Sequence, residues 1–145
     1  MKLAIVALAA SAAALSTAAL TTGALAAKPP ALTTPAPPSG AGLPAGQCFR
    51  SSDIRNHTIA DRNTLLIDVR GKETYRITMN GGCLAGAISS DPIITRQPPG
   101  SSIICKPIDM DIAVSRGGFP SLCIVDSIVK MSPEEVAALP RKLKP

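Results

Sequence analysis

The chain has 145 residues, a formal net charge of +5 and 2% aromatic residues, with no Trp. The positive surplus sits at the ends, in Lys2, Lys28, Arg141, Lys142 and Lys144; between Pro29 and Pro140 basic and acidic side chains balance. With no basic stripe, and only Phe49, Tyr75 and Phe119 as aromatics, the composition excludes a nucleic-acid surface built on phosphate contacts and base stacking.

Lys2 and the Ala/Leu-rich run Leu3–Leu20, ending in Ala24-Leu25-Ala26, predict a secretion signal peptide over residues 1–26 and a mature chain starting at Ala27. The run is short and rich in Ala, Ser and Thr, a poor membrane span, so no transmembrane segment is expected after cleavage. The expected location is periplasmic or secreted. Residues 27–46 contain Pro29, Pro30, Pro35, Pro37, Pro38 and Pro44 and read as a solvated Pro-rich linker. Residues 47–145 then form a single small domain, whose size gives it only a modest core.

Strand signals dominate that domain. Thr64–Val69 and Thr74–Met79 both alternate, and Arg70-Gly71-Lys72-Glu73 between them predicts a β-hairpin turn. Ala85–Ser102, with its glycines and prolines, reads as one long loop. Ile108, Met110, Ile112 and Val114 alternate with Asp109, Asp111 and Ala113, which predicts a half-buried strand continuing from Ile103-Ile104-Cys105, with Pro107 at a bulge or edge. After a turn over Ser115–Pro120, Leu122–Val129 is apolar on both faces and suits a central strand. Ser132-Pro133-Glu134-Glu135 then forms a capping box ahead of Val136–Leu139, a short helix ending before Pro140. The expected fold class is α+β, mainly β: a small antiparallel sheet or partly open barrel with one short C-terminal helix and two disulfides.

Cys48, Cys83, Cys105 and Cys123 all follow the signal segment and form no C-x-x-C pair, so structural disulfides are expected rather than redox, haem or zinc chemistry. Three connectivities are possible. Topology favours Cys83 with Cys105, which would clip the long loop, and Cys48 with Cys123, which would pin the start of the domain to a central strand.

The order Cys48-Phe49, Ser52-Asp53-Ile54-Arg55, Asp61-Arg62-Asn63-Thr64-Leu65-Leu66, Tyr75-Arg76-Ile77-Thr78, Cys83, Ile104-Cys105, Asp109/Asp111, Cys123-Ile124-Val125 and Met131-Ser132-Pro133-Glu134-Glu135 resembles a proteobacterial exported family, domain of unknown function 6491. The resemblance spans essentially the whole folded region. It implies export and a cysteine-bridged small domain, and it carries over no catalytic residue.

No nucleophile elbow, phosphate loop or zincin motif occurs, so no catalytic, cofactor-binding or metal residue and no cofactor is assigned. The favoured function is a non-enzymatic binding or structural module of the cell envelope, with an envelope protein or a small molecule as partner. The long loop is its candidate recognition surface. The alternative is a small periplasmic hydrolase or metal-dependent enzyme. It would use His57, the only histidine, with Asp109 and Asp111 sharing one strand face about 7 Å apart. That alternative requires the three side chains to meet in one concave pocket.

Overall fold

A computed structural model describes residues 37–97 and 101–145. The expected signal peptide, its expected cleavage before Ala27 and the first part of the expected linker lie outside the described residues, as do Pro98, Pro99 and Gly100 of the long loop.

Residues 40–43, at the end of the expected linker, are bonded to the domain as a strap. The Gly40 N–H donates to the Asp126 carbonyl at 2.9 Å, the Ile128 N–H to the Ala41 carbonyl at 2.9 Å, and the Leu43 N–H to the Cys105 carbonyl at 2.6 Å. A Cβ on Gly42 would lie 2.8 Å from the Cys105 carbonyl oxygen, so the small residue permits this approach. Leu43 then packs against the core. The prolines leave the amides of Gly40 and Leu43 to do the bonding, which composition does not reveal.

Among the described residues nine strands follow: β1 (Phe49–Arg50), β2 (Ile54–Ile59), β3 (Thr64–Val69), β4 (Glu73–Met79), β5 (Ile93–Arg96), β6 (Ile103–Ile104), β7 (Asp111–Arg116), β8 (Phe119–Cys123) and β9 (Val125–Lys130), then helix α1 (Pro133–Ala138). All pairs are antiparallel. They form a two-stranded sheet β1-β6, a four-stranded sheet β2-β3-β4-β9 and a three-stranded sheet β5-β7-β8, with no closed barrel. The mainly β fold with one short C-terminal helix matches the sequence expectation. Among the described residues no helix is long and apolar enough to cross a membrane.

The β3–β4 hairpin forms as predicted, with Leu65 opposite Ile77 and Ile67 opposite Tyr75 on the inner face. These side chains meet Ile112, Val114 and Cys123 of the second sheet in the main core. On the outer face of β3, Leu66 is buried beneath α1 by Met131, Val136 and Leu139. The capping box holds: Ser132 Oγ accepts from the Glu135 N–H and Glu135 Oε2 from the Ser132 N–H.

Three expectations about strands and loops are corrected. The strand drawn through Ile103–Val114 is two strands, β6 and β7, separated by a 3-10 turn at Pro107–Asp109. Asp109 Oδ2 accepts from the Cys105 and Lys106 N–H groups at 3.0 and 2.8 Å, and Pro107 suits the first turn position, so the alternation breaks and Ile108 faces out, 80% exposed. The central strand drawn through Leu122–Val129 is two edge strands of different sheets, β8 and β9. The break falls at Ile124, whose carbonyl accepts from the Asn80 N–H. Finally, the loop Ala85–Ser102 contains β5, and the polar stretch Ile54–Ile59, assigned no structure from sequence, is edge strand β2.

Two disulfides are present, but the pairing is Cys48–Cys105 and Cys83–Cys123. The expected pairs Cys83–Cys105 and Cys48–Cys123 are ruled out by register. Phe49 opposite Ile104 in β1-β6 puts Cys48 directly across from Cys105, with Cα atoms 4.6 Å apart. Asn80 bound to Ile124 carries the chain after β4 alongside Cys123, within 5.5 Å of the Cys83 Cα.

Candidate functional site

β2 is the edge strand of the larger sheet, and the pairing of His57 with Ile67 puts the imidazole on the core-facing side, where the sheets part. A cleft of about 250 Å³ opens there. Its deepest lining is Leu65, Ile67 and Met110, all buried, drawn from β3 and the approach to β7. Partly buried Ile54 and Ile93 flank them. The polar lining is Ser51, Arg55, Asn56, His57 and Thr95.

A bulge lies between Ile54 and Asn56 in the pairing of β2 with β3, leaving Arg55 without a partner across the ladder. Such bulges re-aim a side chain, and here the cleft gains its one guanidinium. The His57 backbone N–H donates to Asn56 Oδ1 at 2.9 Å, and His57 Nε2 lies 3.1 Å from the Asp91 carbonyl oxygen, so Nε2 carries the proton that reaches it. Ser89 Oγ accepts from the Ile59 N–H, which docks the loop before β5 along the outer edge of β2. The candidate recognition loop is thus tied down at two points beside the cleft.

Asp53, next to the cleft, is committed elsewhere. The Arg70 guanidinium bonded to it holds its carboxyl below the usual carboxylate range. No residue lining the cleft is acidic.

The other candidates do not converge. His57 lines this cleft, while Asp109 caps the 3-10 turn and Asp111, opposite Arg96 on β7, lines a separate cleft of about 320 Å³. That cleft also holds Asp126 and the exposed Ile108 and Ile124. Asp109 and Asp111 do not share a strand face, because the strand begins only at Asp111. No described hydrogen bond or ion pair joins His57 to either aspartate, and the hydrolase constellation is not assembled among the described residues. Nor does any described group of three or more His, Cys, Asp or Glu side chains have the arrangement to hold a metal ion.

Sequence reasoning singled out His57 but missed Arg55 and Asn56 beside it. The available signal was the hydrophobic pair Ile54 and Ile59 bracketing Arg55-Asn56-His57-Thr58, which marks a strand with an irregular centre.

No curated protein and no solved structure matches the chain. A family model matches residues 1–144, so the chain belongs to the family of unknown function DUF6491.

Proposed function

We propose that this protein is exported and acts outside the cytosol as a binding or structural module of the cell envelope, rather than as an enzyme. The observation that carries this reading is the pair of disulfides, which engage all four cysteines and leave none of them free. Such bridges persist in oxidising compartments and are rare in the cytosol. The Lys2/Leu3–Leu20/Ala24-Leu25-Ala26 pattern supports cleavage before Ala27, and the resemblance to proteobacterial exported proteins supports a bacterial periplasm as the compartment. A cleft with an apolar interior and a polar rim supports binding over a purely structural role.

The test is to express the chain with its own N-terminal segment in a Gram-negative host, fractionate the cells, and determine the mature N-terminus and thiol state. The expected product is periplasmic, begins at Ala27 and resists alkylation until reduced. A full-length cytosolic product with alkylatable thiols would overturn the proposal.

A further inference from the structure

We propose that the cleft beside His57 binds a small organic anion with an apolar body, in the class of aryl or branched-chain carboxylates, and that Arg55 holds the anionic group. The inference rests on the reading of the protein as a binding module and names the ligand class of that site.

Size and lining set the body of the ligand. An apolar cavity of about 150 Å³ accepts a benzene ring, and drug-sized sites start near 300 Å³. At about 250 Å³ this cleft suits one ring or a short branched chain carrying a head group. Its depth is made by Leu65, Ile67 and Met110, which offer no polar partner.

Charge and donors set the head group. Among the described residues the Arg55 side chain has no ion pair or hydrogen-bonded partner, and the lining contains no carboxylate to compete with a ligand. The neighbouring acid, Asp53, is held by Arg70. Asn56 Oδ1 is occupied by the His57 N–H, which leaves the Asn56 Nδ2 hydrogens as donors, and the Ser51 hydroxyl lines the same wall. A guanidinium beside neutral N–H and O–H donors matches a carboxylate. A cation would meet Arg55 unfavourably.

The same geometry argues against an added peptide strand. Strand addition needs free edge amides, and on β2 the His57 N–H is taken by Asn56 Oδ1 and the Ile59 N–H by Ser89 Oγ.

The experiment is an amide NMR titration of the full secreted chain, disulfides intact, with benzoate, benzyl alcohol and inorganic phosphate. Benzoate is expected to produce saturable shifts at Ile54, His57, Ile67 and Thr95, with the alcohol and phosphate at least about tenfold weaker. Arg55→Gln, at an exposed site, should weaken benzoate about tenfold and leave the alcohol unchanged. Thr95→Phe should fill the cleft and remove benzoate binding while native amide dispersion persists. Absence of saturable benzoate shifts at these positions, equal binding of the alcohol or of phosphate, or an Arg55→Gln variant that binds benzoate normally would each overturn the proposal. Periplasmic export without benzoate binding removes this ligand class and leaves the module reading standing; cytosolic retention with benzoate binding does the reverse.

Discussion

Asp53 and Arg70 are joined three times: the Arg70 N–H donates to the Asp53 carbonyl at 2.9 Å, and Arg70 Nε and Nη2 donate to Asp53 Oδ2 at 3.0 and 2.7 Å. Arg70 is the described non-glycine residue with positive φ, 59°, and Gly71 follows at 70°. Consecutive positive φ values give a tight hairpin the twist its strands need. For a residue with a Cβ that conformation costs about 1–2 kcal/mol, and the links to Asp53 hold it in place, anchoring the β3–β4 turn to the start of β2.

Replacing Arg70 therefore separates two effects. Arg70→Gly should lie within about 1 kcal/mol of the parent, because relief of the positive φ offsets loss of an ion pair whose members are 61% and 23% exposed. Arg70→Ala loses the pair and keeps the strain, and should be about 1 kcal/mol less stable than Arg70→Gly in urea denaturation. Asp53 and Glu73 are both held below their ordinary values of 3.8 and 4.5, by hydrogen bonds from Arg70 and Lys130 respectively. Depressed folded values mean that their contribution is complete above those ordinary values and is lost as the pH falls through the folded ones. Stability should drop on acidification below about pH 4, and less steeply in Asp53→Asn.

The disulfides interlock, because Cys83 lies inside the segment closed by Cys48–Cys105 and Cys123 lies outside it. Sequence separations of 57 and 40 each correspond to about 4 kcal/mol of unfolded-state constraint. The paired substitution Cys48→Ala/Cys105→Ala should cost about that much. It should also raise amide exchange at Leu43, Phe49 and Ile104, since the two-residue strands β1 and β6 and the strap rely on this bridge. Protection in β3, β4 and β9 should persist.

Tyr75, the single tyrosine, offers an unambiguous alkaline probe. It is buried against Phe49, with ring centroids 4.6 Å apart, and its hydroxyl lies 3.0 Å from Glu73 Oε2 and 3.1 Å from the Gln47 carbonyl oxygen. Burial, followed by the bond to Glu73, pushes its pKa up to about 12. A raised folded value in a group that is neutral when protonated means that its contribution is complete below about pH 10 and is lost as the pH rises toward 12. Ultraviolet titration should show no tyrosinate near pH 10, with ionisation coinciding with loss of tertiary structure. Tyrosinate formation near pH 10 in the native state would contradict the burial argument.

Arg76 projects from β4 beneath α1, where Nη2 meets Glu135 Oε1 at 3.2 Å and the side chain is 8% exposed. Its Nε is buried without a hydrogen-bond partner. Removing the carboxylate strands a buried charge, so Glu135→Ala should cost about 3–5 kcal/mol, including loss of half the capping box. Arg76→Met removes the charge itself and should cost less than Glu135→Ala. Chemical denaturation of the two variants ranks them, and the reverse order would show that the ion pair contributes more than burial of the arginine costs.

The parts legible in sequence are those set by neighbours in the chain. Thr64–Met79 declares a hairpin through alternation and a glycine turn, and Ser132–Glu135 declares a helix start through side chains that bond their own backbone. β2 was only faintly legible: Ile54 and Ile59 bracket it, but Arg55-Asn56-His57-Thr58 between them carries no apolar alternation, and its edge position and bulge depend on β3. Ile108 and Leu122 read as strand core yet face outward, because Ile108 sits in the Pro107–Asp109 turn and Leu122 lies on the edge strand β8, where only Cys123 is buried.

By itself the sequence determined the mainly β class, the capped terminal helix and the presence of four bridging cysteines, since propensity, capping and redox chemistry act locally or on composition. The tertiary structure alone decided which cysteines pair, that the linker's end straps β9, that His57 and the two aspartates stay apart, and that Arg55, Asn56 and Ser51 meet over Leu65, Ile67 and Met110. Each of these is set by strand register and sheet order, which arise from long-range packing that no local window of residues records.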